Sequence, residues 1–93
     1  MVVGIANIEI HIPESESLKS KRHFLKRIKD RVKNRFNVSI AEVDHNDLWQ
    51  RTTLGVSVVA NEQQFANQVL SQVVEFINQE QGIQILDYSM NFL

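Results

Sequence analysis

Asp44, His45 and Asp47, three side chains able to hold a metal or carry a proton, fall within four residues of the stretch DHNDLWQR. Hard cations ask for more oxygen donors than this, and zinc for a second nitrogen or sulfur nearby. Asp and Asn also favour hairpin tips for turn geometry alone, so no metal is expected here. The chain has no cysteine, which removes disulfides, thiolate metal sites and cysteine nucleophiles and fits a reducing cytoplasm. His11 and His23 stand alone in sequence and read as surface or packing residues. Gly4, Gly55 and Gly82 are too scattered to cradle a phosphate, and no nucleophile motif is present. These residues point to a non-enzymatic binding protein, with no cofactor and no recognisable small-molecule site.

The stronger signal is electrostatic. The segment LKSKRHFLKRIKDRVKNRF holds nine of the ten basic residues and one acid, Asp30, for a net +8. The rest of the chain has one base, Arg51, against ten acids, for -9, and the formal charge of -1 hides this polarity. On a helix Lys19, Arg22, Lys26, Lys29 and Lys33 form one row within about 80°, and Arg27, Arg31 and Arg35 run along another flank. Like-charged pairs one turn apart, such as Arg22/Lys26, Lys29/Lys33 and Arg27/Arg31, each cost about 0.2–0.5 kcal/mol. A solvated helix face favoured for solubility is the plainer reading of such a charge run, and an anionic partner is the sharper one. The row is expected to meet an anionic partner: an RNA backbone, or the acidic surface of another subunit in a homo-oligomer. A membrane is not expected, because no lipidation site or interfacial aromatic accompanies the cations.

Lys21 departs from both rows, since it falls near the centre of the helix's apolar stripe, between Leu18 and Leu25. An ammonium there must snorkel out or meet a carboxylate, and Glu14, Glu16, Glu42 and Asp44 are the candidates. Arg51 is expected to pair with Asp44 or Asp47 across the tip. Trp49, the only tryptophan, either anchors the tip or presents an aromatic ring to a partner.

These side chains need elements to place them. Residues 3–12 alternate, with Ala6, Ile8, Ile10 and Ile12 on one face, and Pro13 ends the strand. Ser17 is a fitting N-cap for a helix over roughly 18–35, with Leu18, Leu25, Ile28, Val32 and Phe36 on its apolar side. NVSIAEVD and TTLGVSVVA read as the second and third strands. Asn61 with Gln64 suggests a capping box for a second helix with the stripe Phe65, Val69, Val73, Phe76 and Ile77, stopped at Gly82. The tail alternates Leu86, Tyr88, Met90 and Phe92 against Ile85, Asp87, Ser89 and Asn91. The order βαββαβ with right-handed crossovers predicts a single α+β ferredoxin-like domain over 1–93, its two helices on one face of a four-stranded antiparallel sheet.

The opposite sheet face offers Val3, Ile5, Asn7 and Glu9 with Thr53, Gly55, Ser57 and Val59, and none of these is aromatic. Base stacking on the sheet is thus disfavoured, so RNA is expected on the helix side, and the partly apolar face or an edge strand would suit a homo-oligomer. The acylphosphatases share the element order, but HIPESESLK is acidic where their loop bears an arginine. No signal peptide is apparent at MVVGIANIEIHIP, and no apolar run approaches the ~20 residues of a membrane span, so a cytoplasmic protein is expected.

Three stretches, MVVGIANIEIHIP, SLKSKRHFLKRIKDRVKNRFNVSIAEVD and DLWQRTTLGVSVVAN, together resemble the YlxP-like proteins, a small bacterial family of unknown function. The resemblance covers nearly the whole chain. It implies a ferredoxin-like fold without an established activity. It also implies, through the translation-initiation and ribosome-maturation genes beside which the family's genes often sit, an RNA or ribosome role. The family's motif falls on Lys19, Lys21, Arg22, Asp44, Asp47, Trp49, Gln50 and Arg51, with no catalytic role attached. The Asn- and Gln-rich second helix departs from the more charged helix usual in the family.

Overall fold

The computed structural model describes residues 1–93, in the order β1 (Val2–His11), α1 (Leu18–Arg35), β2 (Ser39–Asp44), β3 (Arg51–Ala60), α2 (Gln63–Asn78) and β4 (Gln84–Phe92). The strands form one antiparallel sheet in the order β2-β3-β1-β4, and both helices lie on the same face. α1 packs against β2, and α2 against β1, β3 and β4. The expected α+β ferredoxin-like architecture is what the chain adopts.

Local chemistry explains the boundaries. The Ser17 hydroxyl accepts from the Ser20 amide at 3.0 Å and starts α1. Leu25, Ile28 and Val32 bury one stripe of that helix in the same core as Ile8, Ile10, Ile12, Leu54 and Val56. The alternation read from β1 and β3 holds throughout: Ala6, Ile8, Ile10 and Ile12, and Leu54, Val56, Val58 and Ala60, all turn inward.

Three local expectations need correction. α2 starts at Gln63, with Glu62 at the N-cap and no side-chain cap bond, so Asn61 and Gln64 form no capping box. Its buried stripe is Ala66, Leu70, Val73, Val74 and Ile77, while Phe65 is exposed and Val69 and Phe76 sit at the margin. The small Ala66 at the centre of the contact lets α2 lie close over Gly4, where an added Cβ would stand 3.0 Å from Leu70 and 3.2 Å from Ala66. A stripe chosen by residue size missed the one chosen by approach distance. In β4 the register shifts opposite Glu9 and Ile10, which brings Ile85 against Ile10 and leaves Leu86 as the extra residue. Ile85 therefore packs on the core, although strict alternation put it on the other face.

Gly82 lies beyond the end of α2, in the turn that leads into β4. Its φ of +84° is open to glycine and costly for other residues, and an added Cβ would meet Phe24 at 3.0 Å. Gly82→Ala is expected to lower unfolding free energy by about 1–2 kcal/mol in a urea titration, with an unchanged folded far-UV spectrum.

Candidate anionic-partner ridge and buried lysine

The nine cations of α1 sort into three environments. Lys21 is 1% exposed despite its charge. Its Nζ donates to the carbonyl of His45 at 2.6 Å and meets Glu42 Oε2 at 2.7 Å. The same Glu42 oxygen accepts the Thr52 hydroxyl at 2.6 Å. Of the four candidate acids, only Glu42 turns inward with the core side of β2, so strand alternation selected it. His45 has a φ of +61°, and this left-handed kink belongs to the residue whose carbonyl receives the ammonium.

The arginine flank faces α2. Arg27 donates to the carbonyl of Gln81 at 2.9 Å and lies 5.2 Å from the centre of the Phe24 ring. Arg31 pairs with the buried Glu80 at 3.0 Å and covers Phe76 at 5.8 Å. Arg35 sits over Phe76 at 5.4 Å and Phe36 at 6.0 Å, and those two rings meet edge to face. These guanidinium planes cover the aromatic seam between the helices. Arg27 and Arg31 thus already hold partners within the chain.

The remaining row is different. Lys19, Arg22, Lys29 and Lys33 form no ion pair with any carboxylate of the chain. Lys26 pairs with Asp30 at 2.6 Å, in a contact where both side chains are more than half exposed. That hydrogen bond holds the Asp30 carboxyl below its ordinary range; desolvation opposes it, and the charges of Lys26, Lys33 and Lys29 add to the lowering. The row is on the flank turned away from α2, above the edge strand β2, and runs over ~21 Å of helix.

The tip after β2 is pinned from several sides. Asp44 Oδ1 accepts the His45 amide at 2.7 Å, and the Leu48 amide donates to the His45 carbonyl at 3.1 Å. The Gln50 side-chain amide donates to the carbonyls of Pro13 at 3.0 Å and Ser15 at 3.2 Å, clasping the turn before α1. Trp49, 55% exposed, and Leu48 stand out into solvent, so the ring is presented rather than used as an anchor. Asp47 has no ion-pair partner.

Arg51 does not pair with Asp44 or Asp47. It reaches Glu9 at 3.3 Å across the β1–β3 pair, and Glu9 also accepts the Thr53 hydroxyl at 2.8 Å. His45 Nδ1 lies 3.0 Å from that hydroxyl. The correction has a plain cause. Arg51 points to the open side of the sheet, where the register sets Glu9 opposite Thr53, and sequence proximity to the tip acids did not reveal that pairing. Alternation places Glu9 and Thr53 on one face, but only the register brings them together. No group of three or more His, Asp, Glu or Cys side chains is arranged to hold a metal ion. No helix is long and apolar enough to cross a membrane.

A family model described as "Protein of unknown function (DUF503)" matches residues 3–90. A curated relative named "Uncharacterized protein YlxP", from Bacillus subtilis (strain 168), is 43% identical over 77 residues, covering 83% of this chain and 84% of the relative. Among solved structures, the solution NMR structure of a de novo designed protein with a ferredoxin fold aligns with a TM-score of 0.52 at 14% identity, over 100% of this chain and 84% of the other. At that identity the likeness speaks for the fold alone.

Glu42→Gln leaves the Lys21 ammonium without its counter-charge and is expected to cost about 3 kcal/mol in a chemical denaturation. Lys21→Met combined with Glu42→Leu is expected to recover only part of it, because apolar packing replaces the ion pair but removes the hydrogen bonds that the Thr52 hydroxyl and the His45 carbonyl make to that pair. For Asp30 the lowered folded-state pKa means that its contribution to stability is present above the unfolded-state value and is lost as pH falls through the folded one. An NMR titration of Asp30 is expected to shift upward toward the ordinary value in Lys26→Ala.

Proposed function

This chain belongs to the YlxP-like DUF503 family, and from that premise we propose that it is a non-enzymatic binding protein that docks the α1 ridge on structured RNA in the cytoplasm. The observation that carries the reading is the lack of any intramolecular carboxylate partner for Lys19, Arg22, Lys29 and Lys33, which share one flank of one helix. Self-repulsion along that row persists in the free protein and is relieved only when negative charge arrives from outside. A phosphate backbone supplies such charge at spacings that cations one turn apart can follow, and counterion release drives the association. Lys26 joins the row, since an exposed pair with Asp30 is worth only a few tenths of a kcal/mol and yields to a stronger anion. Arg27 and Arg31 hold the helix pair together and contribute to the local potential rather than to direct contact.

The test is retention of purified ribosomal RNA by the full chain across salt. Neutralising four or five phosphates of a duplex predicts a slope of about -3.6 to -4.5 in a plot of log affinity against log salt. Lys29→Glu with Lys33→Glu is expected to weaken retention at least tenfold and flatten the slope, while Arg31→Gln chiefly lowers stability. Retention that ignores both salt and charge reversal overturns the reading.

A further inference from the structure

The open face of the sheet divides sharply by charge. At one end Glu9, His11, Arg51 and Asp87 form a charged cluster. From there to the far end no outward residue is charged: β1 presents Val3, Ile5 and Asn7, β3 presents Gly55, Ser57 and Val59, and the flanking strands add only small or neutral side chains. A stretch without charge is conspicuous on the surface of a chain in which 23% of residues are charged. A shallow groove of about 340 Å³ runs across it between Ile5 and Val43, with Gly55 on its floor. Val43 leans over that glycine so closely that an added Cβ would stand 2.9 Å from it. At the charge-free end Val59, 65% exposed, and Leu93, 70% exposed, stand up as knobs.

We propose that this face is a dimer interface, and that its occupant is a second copy of the same chain packed sheet to sheet. The pattern is self-complementary. A two-fold axis laid across the strands along the Ile5–Ser57 pair stacks β3 on its own copy in the opposite direction. Val59 lies two residues from Ser57 on one side and Gly55 two residues on the other, so the knob of each copy meets the groove of its partner. The same axis carries Glu9, four residues from Ile5, past the end of the partner's sheet. The charged cluster stays in solvent and no charge is buried. With strands ~4.8 Å apart, β1 and β3 overlap their own copies over ~26 Å, β4 over about half that length and β2 only at Ser39, so the contact covers about 300 Å² on each copy and the dimer is a weak one, at the low end of specific interfaces. A nucleic acid is a poor occupant, since this region offers neither cation nor aromatic ring. The proposal does not rest on the RNA reading of α1; it would leave both ridges on the outer faces of the dimer.

The test is sedimentation of the full chain over a range of concentrations at about 0.1 M and about 1 M salt. The wild type is expected to have twice the chain mass, and to keep it in high salt because the contact is uncharged. Val59→Arg is expected to give a monomer with an unchanged far-UV spectrum, since its side chain is mostly in solvent in the free chain. Ile5→Arg, at the centre of the face, is expected to do the same. Lys29→Glu with Lys33→Glu is expected to remain a dimer even if RNA retention is lost, which separates the two proposals. A wild type that is monomeric throughout, or a dimer that survives both sheet-face variants, overturns the inference. So does a dimer that dissociates in salt and is lost in the ridge variant, since that would assign the contact to the cations.

Discussion

The buried ammonium of Lys21 is the constraint around which α1, the edge strand β2 and the tip beyond it are arranged. Its desolvation is tolerable only because one oxygen of Glu42 and the backbone carbonyl of His45 both lie within hydrogen-bond distance. One partner sits on β2 and the other in the tip beyond it, so a single side chain of α1 fixes helix, edge strand and tip together. His45 keeps its unusual backbone conformation where this carbonyl is required, and its ring turns toward Thr53 and Glu9 on the other side of the sheet. Gln50 clasps the turn before α1 from the same tip. The orientation of the cationic helix is thus set by polar contacts at its start and by Leu25, Ile28 and Val32 farther along.

The two flanks of α1 divide labour by side-chain chemistry. The planar guanidinium groups of Arg27, Arg31 and Arg35 lie over Phe24, Phe76 and Phe36, where their flat faces cover apolar surface and their edges still reach carbonyl and carboxylate groups. The opposite flank uses mostly lysine, a compact and strongly hydrated charge on a flexible stem. It is left facing water above an edge strand. A chain selected only for solubility would gain by placing acids between those lysines. Asp30 is the only one it has.

Membership in a family defined by unknown function gives the geometry most of the weight in any functional reading. The ferredoxin-like fold carries many unrelated activities, so the fold does not choose among them. The charge distribution on α1 and the neutral sheet face belong to this chain's own side chains, and they lie on opposite sides of the molecule. An anionic partner and a second subunit could therefore be engaged together without competition.

The sequence alone determined the element order, the inward residues of β1 and β3, the bounds of α1 and the concentration of positive charge on that helix. Each rests on local periodicity or composition, which neighbouring residues express without help from the rest of the chain. It also showed that Lys21 had either to snorkel out or to meet a carboxylate. Tertiary structure decided that Glu42 supplies it, that Arg51 reaches Glu9, that Ile85 turns inward at a bulge and that α2 packs through Ala66 rather than Phe65. Those outcomes depend on strand register and on how closely a helix can approach the sheet. Both are set by contacts between residues far apart in the chain, which local pattern does not encode.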